Sequence, residues 1–181
     1  EEMVVDTVRR GGAEQAKAFF EGKLTEAFRE IRRVLKPGGI TVIVFAHKTT
    51  AAWESVIGAL LAAGLYLTAS WPVHTEMQTR LRAQESAALA SSVYLVCRKR
   101  AAGADGRPLV GEYAPVREAI AHRVREKLAQ FWDEGIRGAD FFMSAIGPAV
   151  EVFGRYERVE KLSGEAVTVA ELLGYIHQVV A

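Results

Sequence analysis

The chain has 181 residues, 50% of them hydrophobic and 25% charged, with a formal net charge of +1. That is ordinary globular composition, long enough to bury a real core, and so small a net charge demands neither nucleic acid nor a membrane surface as partner. The balance is uneven, with 14 Lys+Arg against 10 Asp+Glu in residues 1–100 and 9 against 12 in residues 101–181. The first part is therefore the one suited to an anionic partner. A single cysteine, Cys97, excludes an internal disulfide and a zinc ribbon within the chain. Its setting, "SSVYLVC", reads as an inert core thiol. Residues 1–12 are charged and Gly-containing, unlike a signal peptide, and "VIGALLAAGLYLTA" is too short to span a bilayer. A cytoplasmic setting with no membrane partner is expected.

In chain order, residues 1–12 read as a loop. From Ala13 to Leu35 apolar residues recur at helical spacing, and Gly22 is expected to divide the segment, with a second helix starting near Lys23. "KPGG" ends the helix, because Pro37 cannot continue it and the glycines supply turn geometry. "ITVIVFA" follows as strand 40–46, apolar on both faces and so expected to be covered on both sides. Thr49 or Thr50 can cap a helix over 51–63, which Gly64 stops. "LYLTASWPV" is a second strand ending at Pro72, residues 74–90 read as a long polar loop, and "SSVYLVCRKR" is a third strand with a basic exit. The pattern is α/β.

"AAGADGRPLVGEY" (101–113) reads as a linker. Residues 114–134 form a strong helix through Val116, Ile120, Val124, Leu128 and Phe131. "GADFFMSAIGPAVEVFGRY" is a helical stretch interrupted at Gly147 and Pro148. A small hairpin turning at Ser163–Gly164 and a last helix, Val169 to Val180 capped by Thr168, complete a mostly helical region over 114–181. The expected organisation is a partial α/β domain over 1–100, a linker over 101–113 and this helical region.

"LTEAFREIRRVLKPGGITVIVFAHK" resembles the second half of an S-adenosylmethionine-dependent methyltransferase domain, where a helix ends in "LKPGG" and enters the fifth strand. The following helix and two strands resemble the fifth helix and the sixth and seventh strands. The resemblance implies that the seventh runs antiparallel between the other two, with the loop 72–91 making the reversal. "SWPVHTEMQTRLRAQESAALASSVYLVCRKR" and "GADFFMSAIGPAVEVFGRYERVE" are similar to the large adenine-specific DNA methylases that carry an N-terminal domain of unknown function. Such a parent uses S-adenosylmethionine to methylate adenine N6 in DNA. The sequence departs from that family in having no Pro-Pro pair, where the family has an Asp/Asn-Pro-Pro-Tyr/Phe motif. Gly11–Gly12 and Gly38–Gly39 follow no strand that opens a helix. The expectation is the C-terminal half of a Rossmann-like methyltransferase sheet, inactive alone and binding no cofactor alone. A rival reading is a non-catalytic module that completes a partner chain through strand 40–46, whose open edge also invites a homodimer.

Candidate site residues follow from the edge of the sheet at which open α/β folds bind ligands. His47 and Lys48 stand at the exit of strand 40–46 and could face a base or its phosphate. His74 and Thr75 begin the long loop, and its Arg80 and Arg82 are suited to DNA phosphates. His74 with Glu76 has no further ligand nearby, which argues against a metal. Arg98, Lys99 and Arg100 read as a solvated strand exit or a phosphate contact. Trp53, Trp71 and Trp132 read as core or domain-contact anchors. No residue stands out as catalytic or cofactor-binding.

Overall fold

The structure, a computed structural model, describes residues 3–47, 49–74, 91–101, 103 and 106–180. Helix α1 (Ala13–Val34) is followed by β1 (Thr41–Phe45), α2 (Thr50–Ala62), β2 (Leu65–His74) and β3 (Ser91–Lys99). Then come β4 (Val110–Glu112), α3 (Tyr113–Asp133), α4 (Gly138–Phe153), β5 (Arg158–Glu160) and α5 (Val169–Val180). The fold is mixed α/β, as the pattern of elements predicts.

The break expected at Gly22 does not occur, and α1 runs unbroken for 22 residues. A glycine inside a helix costs roughly 1 kcal/mol against alanine. Burial of Ala16, Leu24 and Phe28 along one stripe outweighs it. The helix stops where expected, Leu35 turning to extended geometry and Gly38 taking a φ of 73°. Arg98 Nη1 donates to the Gly38 carbonyl at 2.6 Å, so one basic residue of the β3 exit fastens this turn. At α2 the Thr49 hydroxyl accepts from the Ala52 N–H, and Gly64, at a φ of 75°, follows the last turn.

The main sheet has the order β1-β3-β2, with β3 antiparallel to both neighbours. β1 and β2 therefore run in the same direction on either side of it. Thr41 pairs with Cys97, Ile43 with Leu95 and Phe45 with Val93. On the other flank Leu67 pairs with Cys97 before a bulge between Leu67 and Ala69 shifts the register. Directly opposed residues share a face, so Ile43, Phe45, Val93, Leu95, Cys97 and Leu67 line one side. There the edge of Phe45 meets Trp53 of α2 at 4.9 Å.

On β1 the other side is exposed among the described residues, which corrects the expectation that the first strand is covered on both sides. Val42 and Val44 are 47% and 55% exposed. The register aligns Val44, Tyr94 and Trp71 in one row across the three strands, and Val42, Val96 and Ala69 in the next. Trp71 and Val73 are exposed as well. An apolar run shows that a strand can be covered on both faces, not that its own chain supplies both covers. β2 and β3 also run further than the sequence suggests, through Pro72 to His74 and from Ser91 to Lys99, so 72–74 and 91 are strand rather than loop.

The helical part joins the same core, which extends without interruption from Leu24 to Ile176. α4 passes straight through Gly147 and Pro148, against the expected interruption. Proline removes one helix hydrogen bond, but Ala145, Ile146, Ala149 and Val150 around it are fully buried. Gly147 is required by packing, since a Cβ there would fall 1.8 Å from Ser70 Oγ on β2. Arg123 of α3 donates to Glu151 of α4 from Nε at 3.2 Å and Nη2 at 3.1 Å. The stretch read as a linker contributes β4, which pairs in parallel with β5. The expected turn at Ser163–Gly164 forms, with Lys161 N–H bonded to the Glu165 carbonyl and an antiparallel bridge from Glu160 to Ala166. α5 opens on the expected cap, where the Thr168 hydroxyl accepts from the Glu171 N–H and Glu171 accepts in return from the Thr168 N–H.

Arg100, expected to meet water or phosphate, is half-buried and points inward. Its Nε donates to the Gly154 carbonyl at 3.0 Å and its Nη2 to the Leu61 carbonyl at 3.3 Å, with Leu65 at the outer limit of 3.5 Å. One guanidinium thus serves carbonyls at the ends of α2 and α4, where helices leave acceptors unpaired. Burial pulls its pKa below the ordinary arginine value; Glu157 opposes that shift and Arg32 adds to it. Arg100→Met keeps the stem but strands these acceptors. It should lower unfolding free energy by about 2–3 kcal/mol in a denaturant titration, and a loss under about 0.5 kcal/mol would show that the contacts are dispensable.

The α5 cap carries a pH signature. The Lys161 ammonium at 2.5 Å and the Thr168 backbone N–H at 2.9 Å hold the Glu171 carboxyl at about 2, below its ordinary 4.5. Because the folded value is the lower one, the ionised carboxylate favours the fold above pH 4.5, and that contribution fades as pH falls toward 2. The melting temperature should show an acid component in this window that Glu171→Gln removes. Superimposable acid profiles for the two proteins would refute the linkage.

Candidate functional site

Because β1 and β2 run the same way, both deliver their C-terminal ends to one edge of the sheet. With β3 between them the two strands stand roughly 10 Å apart. His47 follows β1 at this edge, and His74 is the last residue of β2, paired in register with Ser91. The chain thus brings its two histidine candidates to the same rim. Lys48, Thr75, Arg80 and Arg82 lie outside the described residues, as does most of the expected 72–91 loop.

His47 is held firmly for an exposed residue. Its Nδ1 accepts from the Thr49 backbone N–H at 3.1 Å, with the Thr49 hydroxyl 3.0 Å away. A backbone N–H can only donate, so Nδ1 is unprotonated and the neutral ring carries its proton on Nε2. The His47 carbonyl accepts from the indole N–H of buried Trp53 at 3.0 Å. The rings of Phe45 and His47 lie nearly parallel, 13° apart with centroids separated by 6.3 Å. β-Strand, turn and helix cap therefore fix the imidazole in one orientation, with Nε2 left as a donor. Such a group can hydrogen-bond a base edge or a phosphate. No cluster of three or more His, Cys, Asp or Glu side chains that could hold a metal occurs among the described residues.

The tryptophans divide. Trp53 is core, at 1% exposed. Trp71 and Trp132 are half exposed, and each faces a cation. Lys127 Nζ of α3 lies 5.8 Å from the Trp71 ring centroid, a contact that joins the sheet to the helical region. Arg137 stacks over Trp132 at 3.6 Å, and Phe141 meets that indole edge-on. Lys127 and Trp71 are remote in the chain, so no local period links them.

Cys97 is fully buried, and burial pushes its thiol up to about 12. A thiol so far from ionisation is no nucleophile at neutral pH, which agrees with its reading as core. On the exposed face of α1, Arg33 pairs with Glu30 at 2.7 Å and Lys23 with Glu26 at 2.7 Å.

The strand-to-helix joins among the described residues do not resemble a nucleotide-type cofactor loop. β1 enters α2 through a turn without glycine, and β4 enters α3 directly. Gly111 in β4 answers to packing, since a Cβ there would meet the Tyr156 ring at 2.9 Å. Gly11 and Gly12, both at positive φ, lead into α1 with no strand before them among the described residues. Among the described residues, no glycine-rich loop joins a strand to the helix after it. No helix among the described residues is long and apolar enough to cross a membrane. Comparison with known proteins gives no match to any family model, curated protein or solved structure.

Proposed function

We propose that the chain is the outer half of a Rossmann-like methyltransferase sheet from a protein of the adenine-N6 DNA methyltransferase type, and that it does not transfer methyl groups by itself. The observation that carries this reading is the unfinished sheet. β1 is an edge strand among the described residues, yet it carries the central-strand composition Thr-Val-Ile-Val-Phe and a bare apolar face. Edge strands of self-sufficient sheets are usually short, charged or covered. This one suits a further parallel strand beside it and a second layer over Val42, Val44 and Tyr94. Strand order adds support. The arrangement β1-β3-β2, with the last strand antiparallel between two parallel ones, is what the sequence resemblance implies for strands five, seven and six.

In this reading the rim with His47 and His74 borders the pocket for the target base, and DNA is the partner of the assembled enzyme. S-adenosylmethionine binds on the part that completes the sheet, since the glycines here serve turns and packing. The setting is cytoplasmic. The same unfinished edge favours a second reading, in which the chain is a subunit that completes a separate partner chain.

Two measurements bear on this. The isolated chain should self-associate through the uncovered edge, giving a dimer mass in light scattering at high concentration. Val44→Lys should restore the monomer, because a charge on an exposed edge opposes strand pairing. A wild-type monomer at all concentrations would speak against the unfinished sheet. Separately, millimolar S-adenosylmethionine should leave the melting temperature unchanged, whereas saturable stabilisation at micromolar ligand would show that this chain binds the methyl donor.

A further inference from the structure

The join between β1 and α2 runs from Ala46 to Thr49, and one nitrogen lone pair sits at its centre. His47 Nδ1 accepts from the Thr49 backbone N–H at 3.1 Å, and Thr49 Oγ1 lies 3.0 Å from the same nitrogen. That hydroxyl also accepts from the Ala52 N–H as α2 begins. The imidazole therefore closes the turn and touches the helix cap at once. Its ring is exposed, so protons reach it directly from solvent.

A second proton on the ring goes to Nδ1, the one ring nitrogen that carries none. The Thr49 N–H and the new Nδ1–H then point at one another, donor against donor. The turn relieves this only by moving the ring or the Thr49 peptide. Thr49 Oγ1, already within reach, is the acceptor ready for the new N–H. One hydrogen bond is exchanged for another, so the turn has two arrangements separated by a single proton. The surrounding elements leave that exchange to the turn itself. Phe45 and Trp53, which meet the ring and the His47 carbonyl, are uncharged. Glu54 of α2 lines the cleft toward Lys17 and Glu21 of α1, and Lys127 of α3 lies over Trp71. β3 contributes Ser91, Ser92 and Val93 at this end, and His74 ends β2 on the same rim. Lys48, next in the chain, lies outside the described residues.

We propose that the β1–α2 turn is a proton-operated latch, closed while His47 is neutral and opened when Nδ1 takes up a proton. Closed, it presents one fixed neutral donor, Nε2–H, at the rim of the sheet. Open, it presents a cation with an N–H on either side of the ring, and the first turn of α2 loses its brace. The latch stands independently of the methyltransferase reading.

Nuclear magnetic resonance of the ¹⁵N-labelled chain tests it between about pH 8 and pH 5, the span in which histidines as a class titrate. At the upper end, a coupling through the hydrogen bond should link the Thr49 amide nitrogen to His47 Nδ1, with the ring in its Nε2–H tautomer. On acidification the coupling should vanish, and the Thr49 and Ala52 amide resonances should move with the midpoint of the His47 ring. His47→Asn supplies a side-chain oxygen that can accept from the N–H two residues on, yet takes up no proton. Its Thr49 and Ala52 resonances should hold still. A coupling absent at the upper end, Thr49 and Ala52 resonances that ignore the titration of the ring, or an equal acid response in His47→Asn would overturn the proposal.

Discussion

β3 lies between two strands that run the other way, and most of the molecule follows from that placement. It satisfies the inner hydrogen-bonding edges of both β1 and β2 and leaves their outer edges to other partners. Its alternating residues Val93, Leu95 and Cys97 are buried as the centre of the covered face, while Tyr94 and Val96 fall on the bare one. Because β1 and β2 are thereby parallel, their C-terminal ends share one rim and their N-terminal ends the other. The two candidate histidines consequently share one rim of the small sheet.

The sheet and the helical region share one core, and two contacts fix how closely they meet. Gly147 lets α4 approach β2 where any side chain would strike Ser70. Arg100 ties the ends of α2 and α4 to the start of β2 with a single charged fork. A guanidinium suits that task because it offers several donors in one plane and stays charged under partial burial. The half-buried charge is offset in part by Glu157 beside it.

The His47 turn shows a comparable economy. Phe45 and Trp53 are core contacts, yet they orient the imidazole between them through stacking and through the indole bond to the His47 carbonyl. Thr49 both caps α2 and occupies Nδ1. A rigid donor at a sheet rim, supported by buried aromatic residues, is the kind of element that binding sites are built upon. Trp71, on the parallel strand β2, meets a lysine of α3 that only folding brings near.

Much of this protein was legible in its linear order. Helical spacing in Ala13–Leu35 and 114–134, the "KPGG" turn, the Thr49 and Thr168 caps, the β-branched strands and the inert character of Cys97 all rest on interactions within a few residues, which a sequence displays directly. Breaks expected at Gly22 and Pro148 were misread because local propensity costs on the order of 1–3 kcal/mol, less than the burial of the faces around them. The inward turn of Arg100, the pairing of β4 with β5 and the half-exposed positions of Trp71 and Trp132 depend on residues dozens of positions apart. The bare face of β1 belongs with these. Its sequence specifies an apolar strand that water disfavours on both sides, but whether anything covers the second side is decided by what packs there, and only the three-dimensional arrangement reveals that none of the described residues does.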